Sequence, residues 1–182
     1  MIFIFPEDFN EVITQEKIEE YELEKYTTIE FNYDFNQPFV KKLPENIEYI
    51  KFGYNFNQSL NNLPSNLKSL TLSFIFNQPI NNLPDGLKIL RLGFYFDQPL
   101  DFLPGGLEEL YLEYCYDHPL DNLPSGLKIL EIDNPFYSQD LLNLPGSLKR
   151  LKIYQRYLGK IREGIIVEFF DYKKIDFFIF RS

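Results

Sequence analysis

The chain has one cysteine, Cys115, one histidine, His118, a single methionine and no tryptophan. A lone cysteine excludes an intrachain disulfide, and with a lone histidine it excludes a Cys/His metal centre and most histidine-dependent catalysis. Basic residues are in deficit as well: 18 Lys and Arg against 27 Asp and Glu leave a formal net charge of −9. A field of that sign repels phosphate backbones and anionic lipid, so neither nucleic acid nor a membrane is the expected partner. Long apolar runs are missing too. No stretch reaches the roughly 20 residues of a membrane span, and the start, MIFIFPEDF, lacks the basic region and the apolar length of a signal peptide. These absences read as an intracellular, cytoplasmic protein without cofactor or metal.

Aromatics are abundant, with 19 Phe and 13 Tyr in 182 residues, and most recur at fixed intervals. The stretch Leu83 to Leu100, LPDGLKILRLGFYFDQPL, is the template. Its Leu-Pro pair recurs at Pro44, Pro64, Pro84, Pro104, Pro124 and Pro145, a period of twenty residues with one interval of twenty-one. Behind each Pro stands an apolar frame, from Ile47-x-x-Ile50-x-Phe52 to Leu148-x-x-Leu151-x-Ile153, and a degenerate copy opens the series at Tyr26-x-x-Ile29-x-Phe31. Repetition at this period identifies a solenoid, because one unit cannot bury its own apolar face and must stack on its neighbours.

The end of each frame alternates as a half-buried strand does. Leu90 and Leu92 are expected inward, with Ile89, Arg91 and Gly93 on the opposite face. Seven such strands in parallel make a sheet about 30 Å long at about 4.8 Å per strand. A corner follows at Phe35-Asn36-Gln37-Pro38, Phe56-Asn57-Gln58-Ser59, Phe76-Asn77-Gln78-Pro79, Phe96-Asp97-Gln98-Pro99, Tyr116-Asp117-His118-Pro119 and Tyr137-Ser138-Gln139-Asp140. Its ring fills the bend, with edge-to-face contacts expected along the stack. Its Asn has the donor and acceptor atoms to satisfy backbone groups there, and Asp97 and Asp117, which only accept, predict a weaker step. A second corner follows Leu-Pro: Pro presets a turn, and Asn46, Asn66, Gly86, Gly106 and Gly126 tolerate a left-handed backbone. In the copy Pro145-Gly146-Ser147 the glycine moves up, which suits a type II turn. Too few residues separate the corners for a helix, so the convex side is expected to be extended or to hold short 3₁₀ pieces.

The pattern L-x-x-L-x-L, then F-N-Q-P-[LI], then L-P resembles FNIP repeats, a short relative of leucine-rich repeats found chiefly in amoeboid protists and the large viruses that infect them. The match spans about residues 29 to 153, with departures at Ser59, Asp140 and the extra residue in Asp133-Asn134-Pro135-Phe136. The resemblance implies a leucine-rich-repeat-like solenoid and protein interaction, and brings no catalytic residues. The expected fold is thus a right-handed, curved, β-rich solenoid with a parallel concave sheet and capped ends.

Three segments follow. Residues 1–25 are expected to lie outside the repeats as an N-terminal cap, a strand at Met1 to Phe5 and a short helix that the capping-box pattern Asp8-x-x-Glu11 would open. Residues 26–154 form a solenoid of about seven turns. Residues 155–182 leave the repeat as a hairpin cap of two β-rich runs, Ile165 to Phe170 and Ile175 to Phe180, whose outer edge at Phe177 to Phe180 is a pairing template. The stretch Phe5-Pro6-Glu7-Asp8-Phe9 to Ile13 also resembles the opening of an F-box, the helical module that recruits ubiquitin-ligase adaptors.

The repeat fixes every position except the exposed face of the sheet. There the columns place Tyr49, Lys51, Thr71, Ile89, Arg91, Glu109, Tyr111, Glu113, Glu131 and Asp133 on adjacent turns. Aromatic and Arg side chains are favoured interface anchors, so this face is the candidate site for another protein, a basic or mixed-charge segment. His118 takes the place of a corner Gln, Cys115 is a small packing residue beside the column Tyr33, Tyr54, Phe74, Phe94 and Tyr114, and Lys68, Lys88, Lys128 and Lys149 are expected to be solvated. Alternatives remain: a structural or self-assembling array joined through its terminal strands, an F-box-like adaptor, and a hydrolase using two carboxylates near Tyr111.

Overall fold

A computed structural model describes residues 1–170. It is a parallel β-solenoid, and its strands form one nine-stranded sheet in strict sequence order. β1 (Ile2–Ile4) is followed by helix α1 (Gln15–Glu20) and a 3₁₀ turn at Leu23–Lys25. Then come β2 (Thr28–Glu30), β3 (Tyr49–Lys51), β4 (Ser69–Thr71), β5 (Ile89–Arg91), β6 (Glu109–Leu112), β7 (Ile129–Ile132), β8 (Arg150–Ile153) and β9 (Ile166–Phe169). Every neighbouring pair is parallel and in register, so Ile29, Ile50, Leu70, Leu90, Leu110, Leu130 and Leu151 form one inward column, and all of them are buried.

Stacked rings fill the corner. Phe35, Phe56, Phe76, Phe96 and Tyr116 lie nearly parallel, successive planes inclined by 2–10° and centroids 5.9–6.3 Å apart. The expected edge-to-face contact is absent from this series because equivalent residues on successive turns share a rotamer, which makes offset stacking the available geometry. The ladder beside it runs on Asn oxygens. Oδ1 of Asn36 accepts from Asn57 N–H and Gln58 Nε2, Asn57 from Asn77 N–H and Gln78 Nε2, and Asn77 from Asp97 N–H and Gln98 Nε2, all at 2.9–3.3 Å. At the next step His118 supplies the bridge, its Nε2 lying 3.1 Å from both Oδ1 and the carbonyl of Asp97.

The second corner differs from its expected form. Pro44, Pro64, Pro84, Pro104, Pro124 and Pro145 each accept at their carbonyl from the N–H three residues on, so Pro occupies the first position of the turn. Backbone φ is positive only at Glu22, Asn62 and Gly164 among the described residues, so Gly86, Gly106, Gly126 and Gly146 are not there for left-handedness. The physical reason at Gly86 and Gly106 is closeness: a Cβ would stand 3.3 and 3.0 Å from the carbonyl oxygens of Ser65 and Asp85 on the preceding turn. Asn66 uses the same approach to donate to Glu45 O at 3.1 Å, and Ser147 Oγ to donate to Leu127 O at 2.6 Å.

The ends also differ. Residues 1–25 form a turn of the array, because Phe3-x-Phe5-x₃-Phe9-Asn10 repeats the spacing of Ile29-x-Phe31-x₃-Phe35-Asn36. β1 pairs with β2, Phe9 stacks on Phe35 at 6.0 Å, and Asn10 Oδ1 accepts from Asn36 N–H. No helix opens at Asp8. Thr14 is the N-cap, accepting from Lys17 N–H, and α1 closes the core by laying Tyr21 against Phe5 and Phe9. The F-box-like residues Phe5, Phe9 and Ile13 are therefore buried core. At the other end Tyr157 stacks on Tyr137, Leu141 bridges to Ile161, and β9 adds in parallel to β8. Ile165 to Phe170 thus continues the sheet, while the expected second run, Ile175 to Phe180, lies outside the described residues. No helix among the described residues is long and apolar enough to cross a membrane.

Close approach of turns predicts a contrast between two glycines. At Gly93 a Cβ would lie 1.7 Å from the Ser73 carbonyl oxygen, whereas at Gly105 nothing lies within 4 Å. Gly93→Ala is expected to lower stability by at least about 2 kcal/mol through forced backbone movement. Gly105→Ala is expected to be neutral or to stabilise by up to about 1 kcal/mol through the unfolded chain. Urea denaturation of both variants checks the contrast.

Candidate functional site

The uncovered face of the sheet is built by the open positions of β2 to β8. On the strands these alternate with the inward column, so Tyr49, Lys51, Thr71, Ile89, Arg91, Glu109, Tyr111 and Glu131 share one side. Glu113 and Asp133 follow at the strand ends and are exposed. Register then fixes the neighbours: Ser69↔Ile89↔Glu109↔Ile129 along one column and Thr71↔Arg91↔Tyr111↔Glu131 along the next.

Charge on this face is unevenly committed. At one end Lys51 pairs with Glu30 at 3.4 Å. At the other, Glu131 sits between Arg150 at 3.0 Å and Lys152 at 3.7 Å, and Arg150 also reaches Glu168 at 3.0 Å. Between them the guanidinium of Arg91 lies over the ring of Tyr111, 3.4 Å from its centroid, while Tyr111 Oη donates to Glu109 at 2.7 Å. Desolvation, with the acceptor Glu109 beside it, raises the phenol's pKa against the opposing pull of Arg91. Arg91 makes no ion pair among the described residues, so stacking fixes its plane and leaves N–H donors for an incoming acceptor. The centre of the face, Ser69, Thr71 and Ile89, carries no charge.

Glu113 and Asp133 form a second, acidic corner. Tyr154 Oη donates to Asp133 at 2.6 Å. Desolvation first, then the charge of Asp133, raises the pKa of Glu113 above 4.5. Two concavities among the described residues lie elsewhere, one lined by Pro135, Phe136, Tyr137 and Leu158 and one beside α1. The carboxylates near Tyr111, Glu109 and Glu131, are half-buried on the sheet face and are held by Tyr111, Arg150 and Lys152.

Two features of this side were missed in the residues. Tyr33, Tyr54, Phe74, Phe94 and Tyr114 stack at 4.7–4.8 Å as a ladder along the border of the face, and Phe136 closes it edge-on against Tyr114. The column itself was legible at its spacing; its stacking was not drawn from it. The lysines expected to be solvated, Lys68, Lys88, Lys128 and Lys149, are all exposed, and three of them also bridge turns across the surface, Lys68 to Glu48 at 2.6 Å, Lys88 to Glu108 at 3.4 Å, and Lys128 to Glu108. The acidic replacements Glu48 and Glu108 within that column were the available signal. At Cys115, burial and the nearby Asp97 raise the thiol's pKa, which suits a packing residue.

Residues 35–74 and 76–115 match the family model for the FNIP repeat. The chain carries FNIP repeats. None of the curated proteins matches it. Among solved structures the FNIP array is similar to CroV588 of a giant virus, described as a novel circular LRR protein. The two share 27% identity and a TM-score of 0.59 over 92% of this chain and 33% of that one. The chain therefore spans about a third of that protein's length, and the likeness identifies a leucine-rich-repeat-like solenoid.

The raised pKa of Glu113 gives a pH prediction. A carboxyl whose folded pKa exceeds its unfolded value supports folding below the unfolded value, and that support is lost as pH rises through the folded one. At pH 7 the ionised Glu113 therefore opposes folding. Glu113→Gln is expected to raise the melting temperature at pH 7 by up to about 3 °C, solvent screening keeping the gain small. The gain is expected to vanish below about pH 4. Thermal unfolding of both proteins at pH 3.5 and 7 measures it.

Proposed function

We propose that the FNIP array is a non-catalytic protein-interaction module that holds its partner across the open face between β3 and β7. The observation that carries this reading is the state of Arg91, an exposed guanidinium already ordered on Tyr111 and without an ion pair among the described residues. Ordering a long cation before binding removes part of the entropy cost of using it. The ion pairs at either end of the face have their charge compensated already, so they add little attraction for a further charge. A partner of mixed charge fits: an acidic or carbonyl group on Arg91, apolar contact on Ile89 and Tyr49, and a basic group at Glu113 and Asp133. Leucine-rich-repeat-like scaffolds commonly use such a surface, which further supports it.

The test is affinity capture from a cell lysate with three proteins whose folding is verified by circular dichroism. Wild type is expected to retain a partner, Arg91→Glu with Tyr111→Ala to lose it by tenfold or more, and Phe102→Ser, in an exposed turn outside the strands, to retain it. A partner held equally by the first two would place binding elsewhere and overturn the reading.

A further inference from the structure

β1 closes one end of the sheet, and its outer edge has no strand partner among the described residues. The hydrogen-bonding phase of the array shows which groups that edge offers. Between interior strands the inward residues bond to the following strand and the open-face residues to the preceding one, as Phe31 N–H donates to Lys51 O and Tyr49 N–H to Thr27 O. At β1, Phe5 N–H donates to Glu30 O and Met1 O accepts from Thr28 N–H. The N–H and C=O groups of Ile2 and Ile4 therefore turn to the free edge, where each later strand bonds to the strand before it.

Nothing within β1 blunts this edge. Ile2 and Ile4 are 56% and 65% exposed, and the strand holds no charge, Pro or bulge, the devices that usually keep an edge from pairing. Phe3 between them stands in register with the inward residue Ile29 and is only partly buried. An added strand would find two donors, two acceptors and a half-covered ring to pack on.

Charge selects the occupant. Residues 1–25, the acidic end of the array, hold eight acidic residues against two lysines, and all eight are exposed. Lys17 is committed to Glu11 and Glu20, and Lys25 to Glu22, which leaves Glu7, Asp8, Glu16, Glu19 and Glu24 without an ion pair among the described residues. Glu7 and Asp8 stand just beyond the edge in a turn that the array holds in place. Phe9 N–H donates to Pro6 O at 3.0 Å, and Asn32 Nδ2 donates to Phe9 O at 2.7 Å and to Pro6 O as well. The same end of a second copy would bring like charge here and be repelled, whereas a basic segment is attracted.

We propose that β1 is a docking edge for an extended basic segment of another protein, which adds to the sheet as a strand parallel to β1. Alternate apolar residues of that segment pack on Phe3 while their N–H and C=O groups bond to Ile2 and Ile4, and the Lys and Arg residues that follow them reach Glu7 and Asp8. Main-chain bonds supply affinity in this mode of recognition, and side chains supply selection. The edge is separate from the open face, so this docking does not depend on the partner proposed there.

Fluorescence anisotropy of labelled synthetic peptides titrated with the full chain tests it. The peptide TVIVTKRK is expected to bind saturably, with affinity at least tenfold lower in about 500 mM than in about 20 mM NaCl, since exposed charges are screened at the higher salt. TVIVTEDE is expected not to bind. N-methylation of the two valines, whose N–H groups would face β1, is expected to abolish binding, and N-methylation of the central isoleucine, whose N–H would face away, to preserve it. On the protein, Glu7→Lys with Asp8→Lys is expected to lose affinity by tenfold or more, and Arg91→Glu with Tyr111→Ala to bind as wild type does. No binding of TVIVTKRK, equal binding of TVIVTEDE, equal loss from the two kinds of N-methylation, or a dimer of the chain alone that Ile4→Pro dissolves would overturn the proposal.

Discussion

Everything in this array answers to the spacing of hydrogen-bonded parallel strands, about 4.8 Å. Once the strands pair in register, each position of the turn meets its equivalent one turn away, and the sequence must supply groups that tolerate that neighbour. Flat rings do so by stacking, as at Tyr33 to Tyr114 with centroids 4.7–4.8 Å apart. Amides do so because they donate and accept at once. Where carbonyls crowd, only Gly or a donor fits, which is why Gly86 and Asn66 occupy equivalent places with different chemistry. Alternating charges do so by pairing, as Glu108 does with the lysines before and after it.

This constraint explains how much was legible. A twenty-residue period and a two-residue alternation place Leu90 inward and Arg91 outward without any knowledge of contacts, and the same arithmetic puts the candidate residues of the open face on neighbouring turns. Contacts within a column follow less directly. The register brings Arg91 beside Tyr111, but whether the cation stacks, pairs with Glu109 or points to solvent depends on rotamers that the spacing leaves open. The corner rings show the same limit, since near-parallel stacking follows from identical rotamers on successive turns. The extra residue near Asp133 is absorbed locally: Asn134 is buried, donates to Tyr116 O and accepts from Phe136 N–H.

The terminal turns depart from the consensus in a different way. Phe3-x-Phe5-x₃-Phe9-Asn10 keeps the spacing of the frame but replaces its Leu residues with Phe, lacks Leu-Pro and spends its return path on α1. A search for the consensus residues passes over it, whereas a search for spacing finds it. Beyond β8 the return path shortens, Gly164 with φ +81° helping to turn it, and Tyr157 with Ile161 keeps the corner. Among the described residues the end turns have one neighbour instead of two, which relaxes the demand for identical residues while the demand for shape persists.

The same one-sided environment sets the energetics of the ends. An interior residue such as Leu90 is enclosed by the turns before and after it, whereas among the described residues Phe3 and Val167 have a paired strand on one side only. Tyr21 and Ile18 complete the core over Phe5 and Phe9 at the acidic end, but they do so from the return path and leave the strand edge unpaired. Sheet proteins that remain single usually blunt such an edge with charge, Pro or a bulge. Here the edge positions of β1 are Ile2 and Ile4, and the charges stand on the adjoining turn. Charges so placed repel a like end at long range while the edge itself stays competent to pair.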